Sequence, residues 1–579
     1  MKKTILSISI LLLLFSCHNK EESTATVDLN SKFDHYKDYF VNELWKINPE
    51  WASSQGYHKY DSVLLIPNEA NRKKELAFAK NQLDSLQNYP LEQLSDHNKT
   101  DLKMMENLMN SFVFSINEMK SGTWNPSNYN VCGSFAEILS GSYDSLENRL
   151  RDFNLKMNNI PAYYLAAKEN LKNPTLEHTE LAIAQNLGGL SVFKDDLKAA
   201  LAKCEWNEDQ KKAVLKKADV SIKAIQDYVE FLQKMDHSSP RSFRLGKNLY
   251  AKKFDLDIQS GFSAEQIYQK ALAEKEVLHG KMFVLADKLW EKYLPKNQKP
   301  NDKLDLIRQV IDKISLQHTT PEKFQSEIEK QIPELVTYVK EKDLLYIDPS
   351  KPLVVRREPD YMAGVAGASI SAPGPYDKNA NTYYNVGSFS GWSKEEAESY
   401  LREYNDYILQ ILNIHEAIPG HYTQLVYANQ SPSIIKSILG NGAMIEGWAV
   451  YTERMMLESG YKNSDEMWLM YYKWNLRTVC NTILDNSVHT REMTKEAALD
   501  LLTKEAFQQT AEAEGKWRRV TLSQVQLCSY FTGYTEIYAF REALKKQEGE
   551  KFNLKQFHEK FLSYGSAPVK YIKELMTAK

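Results

Sequence analysis

Residues 394–421 read KEEAESYLREYNDYILQILNIHEAIPGH, a long helical segment that ends in two histidines and two helix breakers. In HEAIPGH, residues 415–421, His415 and Glu416 stand as they do in a helix-borne zinc signature, but the second histidine, His421, comes six residues after the first rather than four. Positions four apart on a helix differ by about 40° and can share a metal, whereas positions six apart differ by about 120° and cannot. Pro419 and Gly420 lie between them. Proline lacks an N–H and clashes with the carbonyl four residues back, here that of His415, so the helix is expected to bend or bulge. An interior proline costs about 3 kcal/mol and a bound zinc contributes on the order of 10 kcal/mol, so a metal site could sustain the distortion.

A catalytic zinc keeps three protein ligands and one open position. Twenty-five residues past His421 comes MIEGWAVYTERMM, with Glu446 and Glu453 seven apart and therefore on one helical face. Glu446 lies among Met444, Ile445, Trp448 and Ala449, where an unpaired buried carboxylate would be costly. Glu446 is the expected third ligand, and Glu453 is expected to orient a zinc histidine through its other ring nitrogen.

Around this motif the chain changes texture. Residues 30–345 are dominated by helical periodicity, as in SKFDHYKDYFVNELWKI and ADVSIKAIQDYVEFLQKM, with Ser263 and Thr320 as expected N-caps. From 346 to 389 short β-prone runs, LVVR, ASIS and TYYNV, are separated by Gly, Pro, Asn and Asp. The expected fold is mainly α, a large helical body with a small β-sheet just before the zinc-binding helix. Its expected division is a helical N-terminal region at 30–345 and a metal-binding catalytic region at 346–579. An edge strand of the sheet could hold an extended peptide by its free amides.

The amino terminus, MKKTILSISILLLLFSC, has two lysines, a short apolar run and Leu14-Phe15-Ser16-Cys17. It is too short to span a bilayer and fits a secretory signal over residues 1–16. Cys17 at the junction is similar to a bacterial lipobox, which implies lipidation of its sulfur and anchoring to a membrane facing the periplasm or cell surface. Residues 17–29 read as a flexible tether, in which Lys20-Glu21-Glu22 resembles a surface-sorting tag. Cys132, Cys204, Cys480 and Cys528 form no C-x-x-C pair and are expected mostly as buried free thiols. A net charge of −3 over 579 residues, with the signs interleaved, gives no reason to expect a nucleic-acid partner.

HEAIPGHYTQ followed by EGWAVYTE resembles the bacterial family known as domain of unknown function 885, and more distantly the gluzincin peptidases such as thimet oligopeptidase and the thermostable carboxypeptidases. INPEWASSQGYHKYDS, FRLGKNLYAKKF, RTVCNTILDNSVHTREMTKEAALDLL and QVQLCSYFTG are similar to the family as well. The resemblance implies a helical gluzincin-like body around a deep cleft, with one Zn2+ held by His415, His421 and Glu446. It also implies His489 and Tyr530 as catalytic residues stabilising an oxyanion, with Tyr534 a rival for Tyr530. Asp485, four residues before His489, could orient that ring. Where many relatives carry Pro-Gly-Gln, this chain has Gln524-Val525-Gln526.

The expected activity is zinc-dependent hydrolysis of oligopeptides, with Glu416 as general base. Two alternatives stand beside it: a non-catalytic peptide-binding lipoprotein with a structural zinc, and a zinc hydrolase of another amide or an ester. Arg356, Arg357 and Arg477 are candidates for gripping a substrate terminus.

Overall fold

A computed structural model describes residues 28–351, 353–358, 368–377 and 380–578. The expected signal peptide, its Cys17 lipidation site and nearly all of the tether lie outside the described residues. Helix α1 (Leu29–Ile47) begins at the last tether position and buries Phe33, Phe40, Leu44 and Trp45. Steps of seven and four residues from Phe33 through Phe40 to Leu44 keep these side chains on one helix face.

The fold is mainly α. Helix α2 (Ala264–Tyr293) starts at the expected Ser263 cap, whose Oγ accepts from Gln266 N–H, and Gln266 Oε1 returns the bond by accepting from Ser263 N–H. Thr320 is not an N-cap. Helix α3 (Phe324–Glu341) begins one turn later after Lys323, whose N–H is bonded to the Thr320 carbonyl at 3.0 Å. A local turn satisfies the backbone there without a side-chain cap.

The three expected strands form as β1 (Leu353–Arg357), β2 (Ala368–Ser371) and β3 (Thr382–Val386). They pair in the order β1-β3-β2, with β1 parallel and β2 antiparallel to β3. Tyr384 of β3 is fully buried and donates to Asn413 Oδ1 at 2.8 Å, which ties the sheet to α4 (Asp406–Glu416) two residues before His415. Strand β2 also packs on α4.

Hydrophobic packing does not divide at residue 346. One large core joins Phe33–Trp124 with Leu245–Leu575, while a second is built from Leu64 and residues between Tyr129 and Leu232. The segment with its own core is thus an inner part of the helical region, and the rest of that region packs with the helices that carry His415, His421 and Glu446. Helices α5 (His421–Asn429), α6 (Gly442–Glu458), α7 (Asp465–Thr490), α8 (Thr510–Leu522) and α9 (Ser529–Glu548) complete the part of the large core that matters here. Cys132, Cys204, Cys480 and Cys528 are free and buried.

Candidate metal centre

The HEAIPGH segment does not bend a continuous helix; it ends one and starts another. Helix α4 stops at Glu416 and α5 starts at His421, with a cis Ile418–Pro419 peptide in the turn. Gly420 N–H donates to Ile414 O at 3.0 Å, and a Cβ on Gly420 would lie 1.9 Å from the His415 carbonyl oxygen. Only glycine tolerates that backbone approach. Trp448 Nε1 donates to Pro419 O at 2.9 Å, fastening the turn to α6. His421 therefore returns toward His415 from a separate helix, and the two rings lie 4.7 Å apart at 88°.

Glu446 closes the cluster. Its Oε2 is 3.3 Å from His421 Nε2 and 3.9 Å from His415 Nε2, and one donor atom from each of the three residues lies within 4.8 Å of the others. Two imidazole nitrogens and a carboxylate suit zinc, and a carboxylate with two histidines leaves a position for a fourth ligand. Glu453 is fully buried, and its Oε1 accepts from Trp474 Nε1 at 3.0 Å and from His415 Nδ1 at 2.7 Å. Burial raises the Glu453 pKa well above the ordinary carboxylate range; in its ionised form Oε1 accepts from both rings, and His415 then carries its proton on Nδ1. The lone pair of Nε2 is thereby left facing the cluster, the role expected of Glu453.

Burial sets the electrostatics. It holds His415 well below the usual imidazole range, helped by the charges of His421 and Arg477. For His421 burial pulls down, but the Glu446 hydrogen bond and the carboxylates of Glu446 and Glu416 outweigh it and raise the pKa. Glu416 is pushed up to about 7, first by burial, against the pull of His421 and with the push of Glu446. A dication at the three donors would draw it back down.

Tyr530 joins the cluster from α9. Its ring stacks near that of His415 at 6.5 Å and 19°, and its hydroxyl accepts from Arg519 Nη2 at 3.0 Å. Burial and the Glu446 carboxylate hold that hydroxyl above its ordinary pKa, with Arg519 opposing, so it keeps a proton to donate. Tyr534 is turned to another task, accepting from Arg454 Nη1 at 2.8 Å. What brings α6 and α9 together is a glycine crossing. A Cβ on Gly533 would lie 1.7 Å from Ala443 O, and one on Gly447 would lie 2.3 Å from the Gly533 carbonyl carbon. Gly447 follows Glu446 and Gly533 lies three residues after Tyr530, so the crossing sets the distance between ligand and hydroxyl.

Over residues 49–576 the sequence matches the family described as bacterial protein of unknown function (DUF885). The chain belongs to this family. A protein of Shewanella oneidensis, described as a presumed lipoprotein of unknown function, is 54% identical, with a TM-score of 0.84 over 94% of this chain and 99% of that one. A second presumed lipoprotein, from Colwellia psychrerythraea, shares the fold at 18% identity and a TM-score of 0.77, covering 95% of this chain and 98% of its own. No curated protein sequence matches.

In this DUF885 chain two expected site residues have other work. His489 is buried with Nε2 against Val520 O at 2.9 Å and Ser523 O at 3.1 Å, beside the rings of Tyr250 and Phe243, and is not part of the metal cluster. A ring nitrogen bonded to two backbone carbonyls holds the end of α8 instead of an oxyanion. Asp485 does not orient His489 either: its Oδ1 accepts from Tyr250 OH at 2.8 Å and from Val525 N–H at 2.9 Å, while His489 Nδ1 has no partner among the described residues. Val525 stands at φ 73°, ψ −31°, a conformation natural to glycine that costs a β-branched residue about 1–3 kcal/mol. The loop thus keeps its glycine-like turn without the glycine, and Asp485 holds it at the entrance to α9 and Tyr530.

Asp485→Ala would leave the Val525 N–H and the Tyr250 hydroxyl buried without their acceptor, at a cost of about 2–4 kcal/mol. Asp485→Asn keeps an oxygen in place and should cost under about 1 kcal/mol, with metal content unchanged. Denaturant unfolding of both variants checks this; an asparagine variant as unstable as the alanine one would show that the charge, not the acceptor, matters.

Of the three arginines, Arg356 donates to Asn385 Oδ1 at 2.7 Å and lies over the Tyr383 ring. Arg357 is likewise engaged. Arg477 is the one whose charge reaches Glu416 and His415. Sequence reasoning missed Trp474, Trp448 and Arg519; only the glycines of E-G-W and Y-x-x-G gave any sign, as small residues inside helices.

Proposed function

We propose that the protein is a zinc-dependent metallopeptidase, exported and lipid-anchored through Cys17, that hydrolyses oligopeptides. The observation that carries the reading is Glu416 beside the His415–His421–Glu446 cluster, since a purely structural zinc site needs no proton acceptor next to its ligands. Zinc held by those residues supplies Lewis-acid chemistry, lowering the pKa of a water to about 7 and polarising a carbonyl. Glu416 takes the proton from the attacking water and returns it to the departing amine. Glu453 keeps His415 in the ligating tautomer. Tyr530 donates its hydroxyl proton toward the developing oxyanion, with Arg519 fixing the hydroxyl from behind. The sheet supports a peptide substrate, because among the described residues β2 is an edge strand, packed on the helix that carries His415 and Glu416. The anchor rests on the Cys17 junction and on the description of the Shewanella relative.

The test is metal analysis of the purified protein with a peptide-library digest read by mass spectrometry. About one zinc per chain is expected. A chelator should abolish peptide hydrolysis and added zinc should restore it. Undiminished hydrolysis by protein stripped of metal would overturn the reading.

A further inference from the structure

Helix α8 inverts the usual rule for a packed helix. Glu512, Lys516 and Arg519 stand at i, i+4 and i+7, one continuous stripe, and this charged stripe is turned inward. The Lys516 side chain is 3% exposed, less than many core residues of the chain. Facing it from α7 is Arg477, which donates to Glu512 Oε1 at 2.6 Å and lies over the Trp474 ring at 4.5 Å.

Not every donor of these cations has an acceptor. Lys473 is taken by Glu403 at 2.6 Å, and Arg477 by Glu512. Arg519 is committed to Tyr530 OH and to Gln526 Oε1 at 2.7 Å. Lys516 is left over: among the described residues its nearest carboxylate is Glu512 at 3.7 Å, too far for a hydrogen bond. Arg477 Nε is buried with no partner among the described residues. Two cationic side chains on two helices thus hold donors that an anion could take up, and for the buried Arg477 Nε it would remove the cost of an unpaired donor. Burial first, then the charge of Arg477, already hold the Lys516 amine well below its ordinary range, which a neighbouring anion would reverse. Arg477 lies over the Trp474 ring, whose Nε1 bonds the Glu453 that holds His415, and Arg519, one turn from Lys516, bonds Tyr530, so an anion bound between Arg477 and Lys516 lies beside the reacting centre.

We propose that Lys516 and Arg477 form a subsite for a carboxylate of the substrate, close to the bond that is cut. The inference rests on the metallopeptidase reading and specifies its substrate. The carboxylate is either the free C-terminus of a peptide or an acidic side chain near the scissile bond.

The test uses the full mature protein loaded with zinc and three versions of one peptide: free C-terminal acid, C-terminal amide, and amide with glutamate as the last residue. At least ~10-fold higher kcat/KM is expected for a carboxylate-bearing peptide than for the neutral amide. Preference for the free acid assigns the C-terminus, and preference for the glutamate amide assigns a side chain. Lys516→Met should reduce the preference to within about 2-fold, and Lys516→Arg should retain most of it. Equal cleavage of all three by the wild type overturns the subsite, whatever the variants do. Fluorescence anisotropy with labelled acid and amide peptides separates the two proposals. If no peptide is cut but the acid still binds ~10-fold more tightly, the peptidase reading fails and the subsite stands. Equal binding of acid and amide sinks the subsite.

Discussion

Glu416→Gln should lower peptide hydrolysis about 10³-fold, within the 10²- to 10⁴-fold range that a general base contributes. Glutamine keeps the shape of the side chain and leaves His415, His421 and Glu446 untouched, so zinc content should equal that of the wild type. The loss should fall on kcat with KM little changed, because the proton is moved only in the transition state. Inductively coupled plasma analysis beside steady-state kinetics reads both quantities. A glutamine variant with full activity would remove Glu416 from the mechanism, and one that lost its metal would make Glu416 part of the binding site instead.

Gly533→Ala should be the most damaging glycine-to-alanine substitution among the described residues. The added methyl would meet the Ala443 carbonyl oxygen at 1.7 Å and the Gly447 Cα at 2.8 Å, both backbone. No rotamer change relieves such a clash, so α6 and α9 must part, at a cost of about 3 kcal/mol or more. Glu446 and Tyr530 would separate with them, and a misplacement of about 1 Å is worth about 100-fold in rate. Gly280→Ala is the control. It lies inside α2 with nothing within 4 Å of the new methyl, and alanine should stabilise that helix by about 0.5–1 kcal/mol. Thermal unfolding and peptide hydrolysis of the two variants would decide the matter; equal stability would mean that the helices separate without cost.

How far the chain can be read without its tertiary structure depends on whether the signal is local. The Ser263 cap, the three strand runs and the alternation of helix and turn depend on neighbours in sequence, and all appear where expected. His415, His421 and Glu446 were legible because proline and glycine between the histidines made sense only if His421 had to return to the same point. The failure at Thr320 was also local, a turn taking the place of a cap. His489 and Asp485 failed for another reason: a histidine one helical turn after an aspartate reads identically whether the pair serves chemistry or holds two loops. Only the positions of Val520, Ser523, Tyr250 and Val525 separate the two cases.

The α8 stripe illustrates the same limit. Glu512, Lys516 and Arg519 read as the solvated face of an amphipathic helix, since charge on a helix says nothing about which way the face is turned. Their burial follows from α7 and α8 packing against each other. The amino-acid order settled the helical class, the small sheet and the break at Pro419-Gly420, and it named the three residues that the fold gathers into a candidate metal site, because periodicity, turn chemistry and ligand type are properties of short segments. The Gly447–Gly533 crossing that sets Glu446 against Tyr530 joins residues 86 apart in the chain. That distance, the Glu453–His415 hydrogen bond and the burial of Lys516 without a hydrogen-bonded carboxylate exist only once the helices are packed, because each depends on atoms that separate segments bring together.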